Sequence, residues 1–502
     1  MTRRHPSLRS GLWLAFAGAA LMLGACRKSE SDAFDVAVIG TAPFTLGDPL
    51  LTRASEAQAV LRLNLAQGLV RFGSDGQVEP GLAERWNVSD DGLSYIFRLA
   101  AGEWPDGRKI MARDVARLLK RQFAATRGSA TREALGAVED VVAMTDRVIE
   151  IRLASPRPNL LELLAQPEFA LIREGLGSGP FALVAPAKDA AEEATDRTVL
   201  KLTRRPPGVD GDPGEREDMT LRVVSAATAI TSFANGDLDL VLGGSLNDLP
   251  LVQRASLPRG ALHFDPASGL FGLVPTRAEG PLSEPDVRRL LSQAIDRNAL
   301  VAALAVPGLA PRSTLLQAGL DVLPDPVQPA WVAAPIAGRR ARLQVEAERL
   351  FGDTERPRLS VALPEGPGGD LLFKRLFADW GAIGIGVERV GPDDDADLKW
   401  IDAVAPSSSP AWFLRQFRCA LTAICSAEAD ALLDQARAAP DAAQRGLLLG
   451  QAAALMDEAT LFIALAAPVR WSLVGSRAAG YQDNRSARHP LAAIMQRATR
   501  GF

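Results

Sequence analysis

The sequence predicts a mixed α/β or α+β protein with segregated lobes. Strand-like and helix-like stretches alternate irregularly along its 502 residues, and long connections join them. The length allows one large multi-lobed unit or up to about three domains. No period of about 20 to 50 residues repeats, which excludes a solenoid and a propeller.

The strand predictions follow from residue type and from alternation. Phe34–Ile39 is rich in β-forming residues and is ended by a glycine. Ser94–Leu99 alternates polar residues with three large apolar ones, which is the period-two pattern of a half-buried strand. Further strands are predicted at 147–153, 237–242 and 384–390.

The helix predictions rest on apolar stripes and end signals. At 112–127 the apolar residues share one stripe. The clearest helix is predicted to begin at Ser283, since a capping serine is followed by an early proline and a first-turn acid. Further helices are predicted at 374–380, at Ala427–Ala438 and at 443–458, and proline- and glycine-rich loops at 205–214 and 363–369.

Composition and missing motifs exclude several function classes. Net charge is −4, so no basic excess exists to hold a nucleic-acid backbone. The chain lacks the G-x-S-x-G, G-x-x-x-x-G-K and H-E-x-x-H motifs, so nothing argues for an enzyme. His263 and His489 stand alone, and Asp393 to Asp395 lack the spacing of a calcium loop, so we expect no metal and no cofactor.

The N-terminus has the features of an export signal. Three arginines within the first nine residues precede an apolar stretch at 11–24, which is too short to span a bilayer comfortably. The stretch ends in Leu23-Gly24-Ala25-Cys26, which resembles the lipobox of bacterial lipoproteins. We therefore expect lipidation at Cys26. The alternative is a plain secretory signal with a cysteine nearby by chance.

Two further cysteines, Cys419 and Cys425, are separated by five residues in a predicted loop between helices. An oxidising cell envelope favours a disulfide between them. The alternative is two buried thiols.

Several stretches keep the order of motifs that are known together from one family. QGLVRF at 67–72 is followed by EPGLAERW at 79–86, VSDDGLSY at 88–95 and WPDG at 104–107. Later matches are ARDV at 112–115, GSGPF at 177–181, NGDLD at 235–239, and the segment 286–297. The ordered set resembles the family 5 extracellular solute-binding proteins, the peptide, nickel and oligosaccharide receptors of ABC importers.

The resemblance implies an α/β, two-lobed periplasmic-binding-protein fold of cluster C, type II, with an extra subdomain in lobe one. The implied organisation is a signal peptide at 1–25 and a tether at 26–33, then lobe I at 34–264 with an insertion at about 67–174, lobe II at 265–470 and a return to lobe I at 471–502. A ligand is expected between the lobes, which close by hinge motion. In peptide receptors of the family a disulfide closes a loop where Cys419 and Cys425 fall.

One motif departs from the family pattern. Peptide receptors hold the terminal ammonium of the peptide with an Asp that corresponds here to Pro406, and Asp402 is the nearest carboxylate upstream. A free-amino-terminus peptide is therefore doubtful as the ligand. The run Ser407 to Ser409 either offers neutral hydrogen-bonding groups or is merely a flexible loop. The candidate ligand-binding residues are Thr45, Leu46, Trp400, Asp402, Ser407, Ser408 and Trp412.

The function expected from these observations is that of a substrate-binding lipoprotein. We expect a monomer on the periplasmic side of the envelope that captures a peptide-like or other polar solute for an ABC permease and ATPase. Its contact with the membrane is through the lipid anchor only. The alternative is a sensor, scavenger or chaperone that derives from such a receptor and no longer feeds a transporter.

Overall fold

The computed structural model describes residues 33–41, 44, 46, 55–125, 135, 137–184, 198–206, 214–352, 356–439 and 441–495. Cys26, Thr45 and most of the predicted loop at 205–214 lie outside these residues. Within the described ranges, no helix is long and apolar enough to cross a membrane.

Strands and helices alternate in the order that the sequence patterns indicate. The strands are β1 (Phe34–Ile39), β2 (Val70–Phe72), β3 (Val78–Pro80), β4 (Ala83–Val88), β5 (Ser94–Leu99), β6 (Val138–Thr145), β7 (Val148–Leu153), β8 (Ile172–Arg173), β9 (Leu176–Gly177), β10 (Ala182–Leu183), β11 (Val199–Arg204), β12 (Glu217–Val224), β13 (Leu240–Ser245), β14 (Leu262–Phe264), β15 (Gly269–Pro275), β16 (Arg358–Ala362), β17 (Gly386–Val390), β18 (Leu398–Val404), β19 (Ile463–Ala464) and β20 (Arg470–Val474). The helices are α1 (Glu56–Leu65), α2 (Ala112–Ala125), α3 (Leu160–Leu164), α4 (Ala226–Ala234), α5 (Leu249–Arg254), α6 (Pro285–Ala294), α7 (Arg297–Leu304), α8 (Ile336–Phe351), α9 (Pro367–Gly381), α10 (Pro410–Arg415), α11 (Ala427–Ala438), α12 (Ala442–Glu458) and α13 (Leu491–Ile494).

A seven-stranded sheet has the order β10-β11-β12-β1-β13-β20-β14. Strand β1 lies parallel to both β12 and β13, and its residues pack on both faces. Val36 and Val38 enter one hydrophobic core, whereas Ala37 enters the core on the opposite face. A strand that is buried on both faces reads as a continuous apolar run, which is why this segment shows little alternation.

A five-stranded sheet has the order β17-β16-β18-β15-β19. The chain passes from the seven-stranded sheet to this sheet between Phe264 and Gly269, and it returns between Ala464 and Arg470. One hydrophobic core reaches both sheets, with Phe271 of β15 and Trp471 of β20 among its members. The two crossings and this shared core therefore hold the sheets against each other.

A third, antiparallel sheet of four strands has the order β4-β5-β7-β6, and α2 packs beside it. The predicted alternation in β5 is confirmed, because Tyr95, Phe97 and Leu99 are at most 3% exposed. These residues share a separate core with Trp104, which the structure also buries. We call this part the four-stranded subdomain, residues 83–164.

Two local predictions were wrong in detail. Ser283 does not cap a helix, because it lies in a 3-10 turn and its hydroxyl donates to the carbonyl of Gly280 at 2.7 Å. Helix α6 begins at Pro285, whose fixed φ suits a first helical position. The predicted loop at 363–369 is shorter than expected, since α9 also begins at a proline, Pro367.

Other predictions are confirmed. Helix α11 has the predicted bounds, and α12 begins one residue earlier than expected. Cys419 and Cys425 form a disulfide whose Cα atoms lie 5.0 Å apart. This disulfide closes the loop between α10 and α11.

Candidate ligand-binding site

A cavity of about 380 Å³ lies between the four-stranded subdomain and the helices that connect β18 to β19 of the five-stranded sheet. Its first wall is the segment 156–163, which leaves β7. Its second wall is formed by 406–418 together with parts of α11 and α12, and Asp321 and Val322 complete the rim. Cavities of this size at the junction of two folded parts are common sites for small ligands.

The first wall is held by the core of the subdomain. Pro156 and Pro158 restrict the backbone on each side of Arg157. The hydroxyl of buried Tyr95 donates to the carbonyl of Arg157 at 2.7 Å. Leu160 then enters the hydrophobic core at the start of α3. These contacts fix the segment so that Arg157 lies at the cavity.

The second wall begins where β18 ends. Pro410 occupies the first position of α10, and Phe413, in the same helix, is fully buried in the core beneath the wall. Trp412 packs edge-on against Phe413 with ring centroids 5.0 Å apart, and it also lines the cavity. The Cys419–Cys425 disulfide follows this helix and restrains the loop that leads to α11.

Hydrogen bonds connect the two walls at one edge of the cavity. The amide of Asn159 donates to the carboxylate of Asp321 at 3.0 Å, and the hydroxyl of Ser408 donates to the same oxygen at 2.8 Å. The amide of Gln166 donates to the carbonyl of Pro406 at 3.1 Å. The two walls are thus in direct contact, and the cavity is closed along this edge.

The same edge holds a second acid. Asn159 also donates to Glu162 at 2.8 Å. Burial raises the pKa of Glu162, and the nearby charge of Asp321 raises it further. This edge therefore disfavours an additional negative charge.

The remaining rim is strongly basic. Arg157 comes from the first wall, and four more arginines come from the second: Arg415, Arg418, Arg437 and Arg445. Burial, together with the positive charges of Arg415, Arg437 and Arg445, lowers the pKa of Arg157 to about 10. Arg157 remains protonated at neutral pH, so its charge is part of the site.

The structure brings together only some of the predicted ligand residues. Ser407 and Trp412 line the cavity. Ser408 lies beside it and is bonded to Asp321. Leu46 packs against the hydrophobic cores near α1, and Thr45 lies outside the described residues. The assignment of these residues as ligand contacts stays a prediction.

The other two candidates lie on β18 and are absent from the cavity lining. Trp400 packs edge-on against Phe271 with ring centroids 4.6 Å apart. The carboxylate of Asp402 accepts a hydrogen bond from Arg470 of β20 at 2.8 Å. Burial raises the pKa of Asp402, whereas Arg470 opposes that rise. Asp402 thus has an internal partner from the neighbouring sheet.

The sequence patterns missed the residues that give the cavity its polar character. Asn159, Asp321 and the arginines belong to no motif that we identified, and they come from segments far apart in the chain. The run Pro156-Arg157-Pro158-Asn159 is the one local signal, because a charged residue between two prolines is held rather than mobile. Within the described residues, no group of three His, Cys, Asp or Glu side chains is placed to hold a metal ion.

Two solved structures share the architecture. The structure of Haemophilus influenzae OppA in complex with RPPGFSPFR has a TM-score of 0.78 at 16% identity and covers 93% of this chain and 100% of that one. The structure of the Escherichia coli murein tripeptide-binding protein MppA has a TM-score of 0.76 at 17% identity and covers 91% and 97%. These likenesses confirm the predicted two-lobed periplasmic-binding fold.

Relatives with curated names match at modest identity. The probable di/tripeptide-binding protein 5 of Pseudomonas aeruginosa is 26% identical over a 545-residue alignment that covers 94% of this chain and 95% of that protein. The oligopeptide-binding protein OppA of Bacillus subtilis is 25% identical over 302 residues, and the match spans about half of each chain, 52%. The family model for bacterial extracellular solute-binding proteins, family 5 middle, matches residues 77–351. The chain therefore belongs to the family 5 extracellular solute-binding proteins.

Proposed function

We propose that this protein is the substrate-binding lipoprotein of an ABC importer, which captures a peptide-like or other polar solute between its lobes and delivers it to the permease. One observation carries the proposal: a family 5 chain has a cavity of about 380 Å³ where two separately folded parts meet. The role is that of a receptor, which binds and releases its solute without a chemical step. Its partners are the permease and ATPase of the importer.

The names of the relatives support a peptide-like solute. The Pseudomonas aeruginosa relative, which matches over nearly its full length, is named as a probable di/tripeptide-binding protein. Asn159 and Ser408 both donate to Asp321, and Gln166 donates to the carbonyl of Pro406. These hydrogen bonds support closure over a ligand, because they form only when the two sides of the cavity are close. The Pro406 position, where an Asp would hold a peptide ammonium, argues for a solute that is recognised by other groups.

Native mass spectrometry of residues 27–502, secreted in the protein's own host, tests the receptor role. We expect a discrete extra mass that is lost on unfolding. Ala411→Trp fills the cavity and should abolish the extra mass, whereas Ala431→Trp on the exposed face of α11 should retain it. Equal loading of the two variants would contradict the proposed site.

Uptake measurements test the importer role. A strain without the gene should lose uptake of the identified solute, and the wild-type gene should restore it. A loaded receptor whose loss leaves uptake unchanged would instead support a sensor, scavenger or chaperone role.

We also propose periplasmic anchoring through an acylated Cys26, on the basis of the Leu23-Gly24-Ala25-Cys26 sequence. Metabolic labelling with radioactive palmitate should mark the wild-type protein and leave Cys26→Ala unlabelled, and the variant should leave the membrane fraction. Cys419→Ser serves as the control, because the sulfur of Cys419 is bonded in the disulfide, and this variant should keep the label. Equal labelling of wild type and Cys26→Ala would refute the anchor.

A further inference from the structure

Most of the charged side chains around the cavity are positive. Five guanidinium groups and one carboxylate, that of Asp321, line it. Two carboxylates behind the second wall reduce the imbalance, because Arg418 contacts Asp434 at 3.0 Å and Asp430 at 3.6 Å. Arg437 shares Asp434 at 3.0 Å. Arg418 and Arg437 are therefore already matched by acids.

The other arginines are matched differently. In the part of the chain that the structure describes, the hydrogen bonds of Arg157 and Arg445 go to backbone carbonyls: to Pro156 at 2.9 Å and to Ala439 at 3.3 Å. The buried Nε and Nη2 of Arg157 and the buried Nε of Arg445 have no hydrogen-bond partner there. Arg415 adds a third positive charge near Arg157.

This arrangement of positive charges destabilises the protein when no ligand occupies the cavity. A desolvated cation without a counterion loses hydration that backbone carbonyls replace only in part, and neighbouring cations add repulsion. An oxyanion relieves both effects, since guanidinium donors match the geometry of carboxylate and phosphate oxygens. The site thus selects for negative charge in whatever occupies it.

The arginines also come from opposite walls. Arg157 belongs to the four-stranded subdomain, whereas Arg445 belongs to α12 beside the five-stranded sheet. Without an anion these charges repel across the cavity. An anion between them attracts both walls, so its binding favours the closed arrangement of the lobes.

We propose that the cavity contains an anion subsite formed by Arg157 and Arg445, and that the solute carries a compact oxyanion, a carboxylate or a phosphate, at this end. The inference rests on the proposed receptor function and names the class of solute. It also accounts for Pro406, because a receptor that selects negative charge needs no carboxylate at that position.

Calorimetry on residues 27–502, freed of ligand by unfolding and refolding, tests the subsite with four probes: Glu-Glu-Glu, N-acetylated and C-terminally amidated Ala-Ala-Ala, C-terminally amidated Lys-Lys-Lys and inorganic phosphate. We expect Glu-Glu-Glu or phosphate to bind at least about tenfold more tightly than the neutral and cationic peptides, and the affinity to fall as salt is raised. The oxyanion that binds identifies the chemistry. If neither anion binds more tightly than the blocked Ala-Ala-Ala peptide, which has no carboxylate, the subsite is refuted.

Arg157→Gln and Arg445→Gln should each weaken binding of the preferred anion about tenfold or more, because each removes a charge-assisted contact. Arg342→Gln, on the exposed face of α8, makes the same change in net charge and should leave the affinity unchanged. Unchanged affinity in both cavity variants would overturn the inference.

Thermal unfolding of the ligand-free variants separates binding from structure. Arg157→Gln should unfold at the same temperature as wild type or higher, because it removes a buried charge without a counterion. A lower unfolding temperature together with unchanged anion affinity would mean that Arg157 is structural. A neutral or cationic ligand found by native mass spectrometry would refute the anion subsite and leave the proposed receptor function intact. An empty cavity that binds no probe would refute the anion subsite and the proposed receptor function together.

Discussion

The pair formed by Asp402 and Arg470 provides a direct test of whether Asp402 serves the ligand or the fold. Asp402 lies on β18 of the five-stranded sheet, and Arg470 begins β20 of the seven-stranded sheet. Their side chains are 15% and 21% exposed, so water screens the pair only in part. The guanidinium also approaches the backbone carbonyl of Asp402 at 3.4 Å. We expect the pair to stabilise the contact between the two sheets.

The magnitude follows from burial and distance. Two unit charges about 4 Å apart attract by about 4 kcal/mol at an effective dielectric constant of about 20, before desolvation is subtracted. Removal of one partner from a fully buried pair destabilises by about 3 to 5 kcal/mol, because the other charge is left without a partner. Partial exposure reduces this, so Asp402→Asn should lower the free energy of unfolding by about 2 kcal/mol.

Urea unfolding, followed by tryptophan fluorescence, measures the free energies of Asp402→Asn, Arg470→Gln and the double variant. The double variant should be destabilised by less than the sum of the single variants, with a coupling of roughly 1 to 2 kcal/mol. Amide exchange should increase in β18 and β20 of the single variants. Affinity for the co-purified solute should change less than about threefold. Wild-type stability combined with lost binding would refute this reasoning and restore Asp402 as a ligand contact.

Three further predictions concern the first crossing between the sheets, the disulfide and the pH dependence of stability. Buried His489 hydrogen-bonds to Asp265 at 3.0 Å, beside the first crossing between the sheets. Asp265→Ala should therefore lower the free energy of unfolding by about 2 kcal/mol in urea titrations. Asp483→Ala, which changes an acid at the surface, should leave this free energy unchanged. Reduction of the Cys419–Cys425 disulfide opens a short covalent loop and should lower the free energy of unfolding by about 2 kcal/mol. Dithiothreitol should therefore lower the thermal unfolding temperature of wild type. It should leave that of a Cys419→Ser/Cys425→Ser variant unchanged. Burial raises the pKa of Asp457 to about 6, which means that the folded state binds the proton more tightly than the unfolded state does. Ionisation of Asp457 should therefore reduce the free energy of unfolding as pH rises from about 4 to 6. Asp457→Asn should flatten that part of the pH–stability curve, and an unchanged curve would contradict the assignment.

Local patterns predicted much of the architecture because they depend on neighbours in sequence. The alternation at Ser94–Leu99 and the stripe that becomes α2 specify which face of each element is buried. Their limits also have local causes. Ser283 has the residue type of a cap, but the turn that precedes Pro285 directs its hydroxyl to Gly280 instead. When a capping serine and a first-turn proline lie within three residues of each other, the sequence does not tell which one starts the helix, and only the folded backbone decides this.

The sequence by itself determined the fold class and the family, and it favoured the disulfide over two free thiols. These depend on motif order, on apolar periodicity and on two cysteines close together in the chain. The tertiary structure decided the character of the site. It brings segments near residues 157, 321, 415 and 445 to one cavity, and it gives Asp402 a partner 68 residues away. The charge environment of a side chain depends on whatever the fold places beside it, so neither the basic cavity nor the ion pair of Asp402 with Arg470 has a local signature.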